Sequence, residues 1–408
     1  LIENKNKKTK KELQKDELIK NFVIATDNFV VNRPNFGLHT LIAGYPWFLD
    51  WGRDTCIAFE GIVLLTKRYD IAKEIIKTMT RDVKYGLVPN GYSGYDNRPL
   101  YNSVDASLLL FEAVNKYLKY TGDYQFIKEE IYPVLENVIE SYCKGIDVSE
   151  NNIYLDIDGL IVSGTENTQN TWMDVKFAGK AVTPRNGKAV EVNSLWYNAN
   201  KIMEKLSIKF GHLISAKRYK ELAKQCKKAF EEKFYNQENK CLYDVLGDSK
   251  IRPNQLFALS LTYPVLEPNS EKAKNIIKIV EKKLLNSYGL KTLAKGEPNY
   301  VEIYEGNEEH RDTSYHQGIT WTWLLGLYYN ALKNQLNATK DKDEKNELKT
   351  KIEKFANKTE KTFKKELYEN GCIGSIAEIY DSIKPQLPKG AFAQCWSIGE
   401  IFRIILRK

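Results

Sequence analysis

The feature that most constrains the fold is an apolar periodicity of three to four residues, repeated along most of the chain. In residues 103–121, and again in residues 270–287, apolar side chains fall on one helical stripe. Such a stripe must be buried against other helices. The pattern predicts helices at residues 13–32, 53–68, 70–85, 103–121, 124–144, 189–207, 215–235, 253–262, 270–287, 314–334, 341–366 and 393–406.

Strand signals are weak and local. Residues 152–162 predict a hairpin with Asp158-Gly159 at its turn, and residues 44–47 and 243–245 predict short extended pieces. Because strands and helices do not alternate, a parallel sheet is not expected. The pattern favours one all-α domain over residues 1–408, with helices paired as an inner and an outer ring. The lysine-rich residues 1–12 are expected to form a flexible basic start.

Composition excludes several classes of protein. The 408 residues are 42% hydrophobic and 28% charged, which is typical of a folded globular chain. No apolar run approaches the roughly 18–20 residues of a membrane span, so no membrane partner is expected. The net charge is +8, but lysines alternate with glutamates as in Lys340–Lys354. Dispersed charge of this kind does not predict a nucleic-acid partner.

The cysteines indicate the redox compartment. There are six of them, far apart and without a CxxC pair, so neither a zinc site nor a redox motif is predicted. Most lie in apolar helical contexts, as expected of reduced core residues. A cytoplasmic location is the simplest expectation.

The tryptophans are concentrated around the long loops. The long polar and aromatic connections are residues 43–54, 86–102, 163–188, 288–313 and 371–392. Loops of this length are usually functional. In or beside them lie Trp47, Trp51, Trp172, Trp196, Trp321, Trp323 and Trp396. Indole faces with polar neighbours suit a sugar ring, although each tryptophan could equally anchor a loop in the core.

Carboxylates and amides accompany these tryptophans. They are Asp50 and Asp54 with Arg53, Asn102 and Asp105, Asp174, Glu191 and Asn193, and Glu378. Aromatic surroundings desolvate a carboxyl and raise its pKa. One carboxyl with a raised pKa and one ionised carboxylate are what glycoside hydrolysis requires. Any single acid could instead cap a helix or form a surface ion pair, and Asp54 and Asp105 each precede or begin a predicted helix.

Taken together, the loop segments resemble a known family. They are WFLDWGRDT, GLVPN, YNSVDAS, TWMD, VTPRNGKAVEVNSLWYNA, YHQG followed by WTW, and AEIYD with AQCWS. In this order, from Trp47 to Ser397, they are similar to the C-terminal amylo-α-1,6-glucosidase domain of glycogen debranching enzymes. The resemblance implies an (α/α)6 barrel, a six-hairpin toroid with its site built by long loops at one mouth. It also implies a branched α-glucan as substrate, glycogen or limit dextrin, and no cofactor or metal.

The resemblance assigns the catalytic roles. Asp174, in TWMD, matches the general acid that protonates the oxygen of the α-1,6 bond. Glu378, in AEIYD, matches the general base that activates water. An inverting enzyme needs about 6.5–9.5 Å between two such carboxyls. The implied activity is the exo-acting release of one glucose, with no covalent intermediate.

The substrate contacts follow in the same way. Arg53 and Asp54 match a pair that grips the hydroxyls of the terminal glucose, and a guanidinium fork beside a carboxylate suits vicinal hydroxyls. Trp51 and Trp396 are expected platforms for the ring. His316 could bind a hydroxyl or could donate to backbone at a helix start. The predicted substrate-binding residues are Trp51, Arg53, Asp54, Asn102, Asp105, Trp172, Glu191, His316, Trp321 and Trp396.

Alternatives stay open at this point. A toroid that binds glucan without cutting it would need the same tryptophans, and an α-glucosidase of other linkage specificity would need the same acid and base. Cyclases and epimerases on this type of fold fit less well, since an aspartate-rich motif, zinc ligands and paired histidines are not seen. The start at Leu1 suggests a longer natural polypeptide, with a possible N-terminal glucanotransferase or sugar-binding domain missing.

Overall fold

The computed structural model describes residues 10–94 and 97–408. It is mostly helical, and the helices are α1 Lys10–Asp27, α2 Gly52–Phe59, α3 Tyr69–Arg81, α4 Ala106–Thr121, α5 Tyr124–Phe126, α6 Tyr132–Lys144, α7 Val190–Phe210, α8 Leu213–Lys233, α9 Phe257–Ser260, α10 Glu271–Lys283, α11 Glu308–Ser314, α12 Leu324–Ala338, α13 Lys342–Glu369 and α14 Cys395–Ile405. A π-helical segment, Glu60–Leu64, continues α2, and another, Ile127–Ile131, leads into α6. A 3₁₀ turn, Pro253–Leu256, leads into α9.

Six helices pack in a closed order, and we call them the circuit helices. Helix α2 packs against α4, α4 against α7, α7 against α9, α9 against α12, α12 against α14, and α14 against α2. Helix α14 also lies close to the π-helical segment that continues α2, where a Cβ atom on Gly61 would overlap the backbone of Gly399. Only glycine allows the two backbones to approach this far.

The remaining long helices lie against the circuit helices. Helix α1 packs on α14, α3 on α4, α6 and α8 on α7, and α13 on α12 and α14, while α10 packs on the 3₁₀ turn before α9. Their apolar stripes are buried, as Ile276, Ile277 and Val280 of α10 illustrate. Burial of such stripes is the main source of stability for a helix.

The strands are short and antiparallel. They pair as Val30–Arg33 with Leu38–Leu41, Gly44–Tyr45 with Ala393–Gln394, Gly91–Tyr92 with Pro99–Leu100, Tyr154–Leu155 with Ile161–Val162, Lys176–Phe177 with Lys180–Ala181, and Tyr235–Asn236 with Cys241–Leu242. A four-stranded sheet runs in the order Leu290–Lys291, Thr320–Trp321, Ile379–Tyr380, Pro388–Lys389. The pair of Gly44–Tyr45 with Ala393–Gln394, called here the closing pair, joins the segments that precede α2 and α14.

The prediction of a mainly helical chain is confirmed, and so is the hairpin at residues 152–162. Three helix predictions were wrong at an end. The predicted helix 13–32 stops at Asp27, because Val30–Arg33 forms a strand. The predicted helix 314–334 begins at Leu324, because Thr320–Trp321 joins the four-stranded sheet. The predicted helix 253–262 is a 3₁₀ turn followed by the short α9.

Two further expectations concern the chain start and membranes. Of the predicted flexible start, residues 1–9 lie outside the described residues, and α1 begins at Lys10. Among the described helices, none combines the length and the apolar character that crossing a bilayer would demand.

Candidate active site

A cavity of about 280 Å³ opens at the N-terminal ends of the circuit helices. Its lining residues are Phe48, Trp51, Arg53, Asp54, Asn102, Gln169, Trp172, Asp174, Val175, Tyr315, Trp321, Glu378, Gln394 and Trp396. Arg53 and Asp54 lie in the first turn of α2, and Trp396 lies in the first turn of α14. Asp174 and Glu378, which are far apart in the sequence, line this one cavity.

Arg53 ties two acidic side chains together. Its Nε donates to both carboxylate oxygens of Asp105 at 2.9 Å, and its Nη1 donates to Asp174 Oδ2 at 2.8 Å. Burial lowers the pKa of Arg53, but the charges of Asp105 and Asp174 outweigh burial and raise it. The guanidinium is therefore a permanent cation in the cavity wall.

Asp174 is the more open of the two predicted catalytic carboxyls, with 29% of its side chain exposed. Desolvation by the cavity walls raises the pKa of Asp174, and Arg53 counteracts this rise without cancelling it. A carboxyl with a raised pKa holds a proton at higher pH than a free aspartate does.

Glu378 is held at both carboxylate oxygens. The hydroxyl of Tyr315 donates to Oε1, and the backbone N–H of Ala391 donates to Oε2 at 2.9 Å. The neighbouring Gly390 has φ +69°, and a Cβ there would overlap the same Oε2. Burial raises the pKa of Glu378 to about 7, although both hydrogen bonds favour the ionised form. At neutral pH Glu378 is therefore ionised only in part.

Asp54 is a third acidic group in the cavity. Gln394 Nε2 donates to Asp54 Oδ1 at 3.2 Å. Burial raises the pKa of Asp54 well above its usual value; Arg53 opposes this, and the charges of Asp174 and Glu378 add to it. Arg53 is the cation among the lining residues, and it also pairs with Asp105, so the three lining carboxyls share its charge with a fourth. The cavity therefore favours a state in which at least one of the lining carboxyls is protonated.

Aromatic rings form the other part of the wall. The indole of Trp172 meets those of Trp321 and Trp323 edge to face, with ring centroids 5.4 Å and 5.1 Å apart. Trp172 Nε1 donates to Asn254 Oδ1 at 2.7 Å, which fixes the ring. Trp321 also meets Trp396, with centroids 5.7 Å apart. The packed indoles make a rigid apolar surface beside the charged groups.

Several buried polar atoms on the lining residues have no hydrogen-bond partner within the described part of the chain. They are Arg53 Nη2, Asn102 Oδ1, Gln169 Oε1, Gln394 Oε1 and Trp396 Nε1. Leaving such an atom unsatisfied costs about 1–3 kcal/mol. Donors and acceptors that await partners around one cavity suit a ligand rich in hydroxyl groups.

Three of the predicted substrate-binding residues do not line the cavity. Asp105 lies behind Arg53 and is 2% exposed. Glu191 is fully buried and accepts from Arg185, which also donates to Asp244 at 2.7 Å. Asp105 and Glu191 therefore lie behind the residues that line the cavity and support them.

His316, the third, is also buried behind the lining. Its ring stacks on Trp321 with centroids 4.9 Å apart, and neither ring nitrogen has a partner in the described residues. Burial lowers the pKa of His316 well below its usual value, and nearby Arg252 adds to this. The imidazole is neutral and packs as an aromatic ring.

The sequence reasoning missed five lining residues: Phe48, Gln169, Val175, Tyr315 and Gln394. Three of them adjoin segments that it had selected, since Phe48 lies in WFLDWGRDT, Tyr315 in YHQG and Gln394 in AQCWS. Tyr315 lies in the predicted helix 314–334, just beyond the predicted functional loop 288–313, so only its neighbour His316 was selected. Asp50, also considered, forms an ion pair with Arg33 and does not line the cavity.

A cavity walled by carboxyls, amides and indoles is typical of proteins that bind carbohydrates. The chain belongs to the amylo-alpha-1,6-glucosidase family, whose model matches residues 24–403. It is 26% identical to the glycogen debranching enzyme of Saccharomyces cerevisiae. That alignment covers 73% of this chain and 25% of the yeast protein, so the chain spans about a quarter of the length of this curated relative.

Proposed function

We propose that this chain is an inverting, exo-acting amylo-α-1,6-glucosidase that releases glucose from branch stubs of glycogen or limit dextrin. The observation that carries the proposal is that Asp174 and Glu378 line one cavity. The family membership and the yeast relative, a glycogen debranching enzyme, support an α-glucan as substrate.

In this proposal Asp174 is the general acid and Glu378 the general base. Asp174 gives its proton to the glycosidic oxygen as the bond from that oxygen to the anomeric carbon breaks. Water attacks the opposite face of the same carbon, and Glu378 takes one proton from that water. The product is β-glucose, and a proton returns from Glu378 to Asp174 through solvent.

The charge state that this mechanism needs is one proton on the carboxyl pair, carried by Asp174. The pKa of each carboxyl is raised chiefly by burial, and the charge of Asp174 adds to the rise at Glu378. When the glucan fills the cavity it displaces water from Asp174, which is 29% exposed, whereas Glu378 is already buried. Added desolvation therefore moves the shared proton toward Asp174.

The terminal glucose is bound by the remaining polar atoms of the wall. Arg53 Nη2 lacks a partner among the described residues and donates to a hydroxyl oxygen in this proposal. Asp54, beside it, accepts from a hydroxyl, and Gln394 Oε1 accepts from another. Trp51 and Trp396 face the ring. A cavity of about 280 Å³ holds about one or two sugar rings, which supports exo action.

The fold proposed for the whole chain is an (α/α)6 barrel in one domain. The closed packing order of the circuit helices, with the other long helices outside them, supports it. The reaction is proposed to need no metal or cofactor. All six cysteines are free, which supports a reducing compartment such as the cytoplasm.

The experiment that tests the function offers a maltooligosaccharide carrying one α-1,6-linked glucose beside linear maltose. We expect glucose from the branched substrate, with the β anomer first in proton NMR spectra recorded within minutes. Glucose from maltose alone would refute the linkage assignment, and an α anomer would refute inversion. Binding of the branched substrate without any glucose release would point to a glucan-binding toroid.

A further inference from the structure

An exposed tryptophan lies next to the lining of the cavity. Phe48 lines the cavity, whereas its neighbour Trp47 has 62% of its surface exposed. The two rings meet edge to face with centroids 6.3 Å apart. Most tryptophans of this chain are buried, so an exposed tryptophan beside a cavity is a candidate for ligand binding.

A second exposed aromatic residue approaches from the other end of the chain. In the closing pair, Tyr45 pairs with Ala393. Beyond this end of the ladder, Phe392 precedes Ala393 and is 48% exposed, while Trp47 lies in the turn that follows Tyr45. Phe392 directly follows Ala391, whose N–H holds Glu378. Two exposed aromatic residues therefore adjoin the site: Trp47 precedes the lining residue Phe48, and Phe392 follows the residue that holds Glu378.

The loop does not need Trp47 to hold its shape. Tyr45 Oη donates to the backbone oxygen of Asn28 at 2.7 Å, and its ring packs on Phe29 with centroids 5.9 Å apart. Backbone hydrogen bonds join Ala43 to Leu49 and Phe48 to Gly44. These contacts hold the loop on both sides of Trp47, whose own ring meets that of Phe48.

We propose that Trp47, with Phe392, forms a binding surface for the α-glucan chain that carries the branch, outside the cavity that takes the terminal glucose. This inference rests on the proposed function. A glucose stub that enters the cavity leaves the rest of its chain at the opening, over the loops that continue the lining. Sugar rings have apolar C–H faces and polar rims, and an exposed indole binds such faces without a charge.

The test compares substrates that differ in what lies beyond the scissile bond. They are α-glucosyl fluoride, which has no sugar there, and maltooligosaccharides of three to eight units with one α-1,6-linked glucose. For Trp47→Ala we expect the ratio of kcat/KM for the longest substrate to that for the fluoride to fall about tenfold. The loss should appear in KM and grow with chain length. Trp47→Phe should restore most of the ratio.

A matched control is Tyr154→Ala, since Tyr154 is 41% exposed on the 154–162 hairpin and does not line the cavity. Its ratio should equal that of the wild type. The proposed binding surface would be overturned if Trp47→Ala lost the same factor of kcat/KM on every substrate, α-glucosyl fluoride included. It would also be overturned if the ratio in Trp47→Ala were unaltered.

The two proposals fail separately. If the wild type hydrolyses none of these substrates, the proposed function is refuted. Calorimetry that measures binding of the eight-unit branched substrate then tests the proposed binding surface by itself. Weaker binding by Trp47→Ala than by Tyr154→Ala would support the surface, and equal binding by the two variants would overturn it.

Discussion

Arg53 and Asp174 are joined across 121 positions of the chain by a hydrogen-bonded ion pair of 2.8 Å, inside the cavity wall. The same guanidinium holds Asp105 from the other side. One cation thereby fixes the predicted general acid to the first turn of α2 and to the start of α4. The pair also explains why burial raises the pKa of Asp174 only in part.

Replacing this guanidinium tests its role. We expect Arg53→Lys to lower kcat/KM for a glucosyl-branched maltooligosaccharide about a hundredfold, because one ammonium cannot bond Asp105, Asp174 and a sugar hydroxyl together. Steady-state kinetics measure this. Arg33→Lys, which alters the ion pair with Asp50 away from the lining, is the control. An activity of Arg53→Lys within a few fold of the wild type would remove Arg53 from the substrate site.

The role of Asp174 as the general acid is tested with two substrates that differ in whether their leaving group needs a proton. Asp174→Asn should lower kcat on the branched substrate by about three orders of magnitude, because amide nitrogen cannot protonate the departing oxygen. With α-glucosyl fluoride the loss should be far smaller, since fluoride leaves without a proton. Equal losses on the two substrates would contradict the assignment of Asp174 as the acid.

The base is tested by the same pair of substrates. Glu378→Gln should lower kcat by about three orders of magnitude on the branched substrate and on α-glucosyl fluoride alike, because each needs an activated water. Circular dichroism and thermal melting should show an unaltered fold. Near-wild-type hydrolysis of the fluoride by Glu378→Gln would refute the role of Glu378.

Tyr315 is expected to set the pKa of that base. Its hydroxyl donates to Glu378 and stabilises the ionised form, so Tyr315→Phe should raise the pKa of Glu378 further above its value of about 7. The limb of the pH–rate profile near pH 7 should move to higher pH. At pH 7 less Glu378 is ionised, and kcat/KM should fall about tenfold.

Tyr304→Phe is the control for Tyr315→Phe, because its ring packs against Tyr315 with centroids 5.6 Å apart. Its profile should coincide with that of the wild type. If the two variants give the same profile, the hydroxyl of Tyr315 has no influence on the base.

The buried support behind the wall should matter for stability. Arg185→Leu leaves Glu191 and Asp244 buried without their cation, and we expect a loss of about 3–5 kcal/mol in the free energy of unfolding. Urea denaturation measures it. Arg407→Leu removes partly exposed ion pairs with Glu353 and Glu360 and should cost less than about 1 kcal/mol. Similar losses for the two variants would contradict this view of Arg185.

Much of the helical framework is predictable from the sequence. Helix α13, Lys342–Glu369, lies close to the predicted 341–366 because its apolar stripe runs without interruption. The predictions fail where distant segments pair. Thr320–Trp321 hydrogen-bonds to Ile379–Tyr380, and a local periodicity cannot reveal such a partner.

In the candidate site, too, some residues are predictable from the sequence and others depend on contacts between distant segments. The family motifs point to Asp174, Glu378 and Arg53, and all three line the cavity. The contact of Tyr315 with Glu378 spans 63 positions and depends on the paths of two loops. The same holds for Glu191, whose position in a selected motif does not disclose that Arg185 holds it away from the cavity.

The packing of α14 on α2, together with the bond from Gln394 to Asp54, has a consequence for biosynthesis. The ribosome makes the segment around Asp54 first and the segment around Gln394 some 340 residues later. Until the later segment emerges, the wall near Asp54 lacks one side. A nascent chain therefore carries no finished cavity until the segment around Gln394 has emerged and packed.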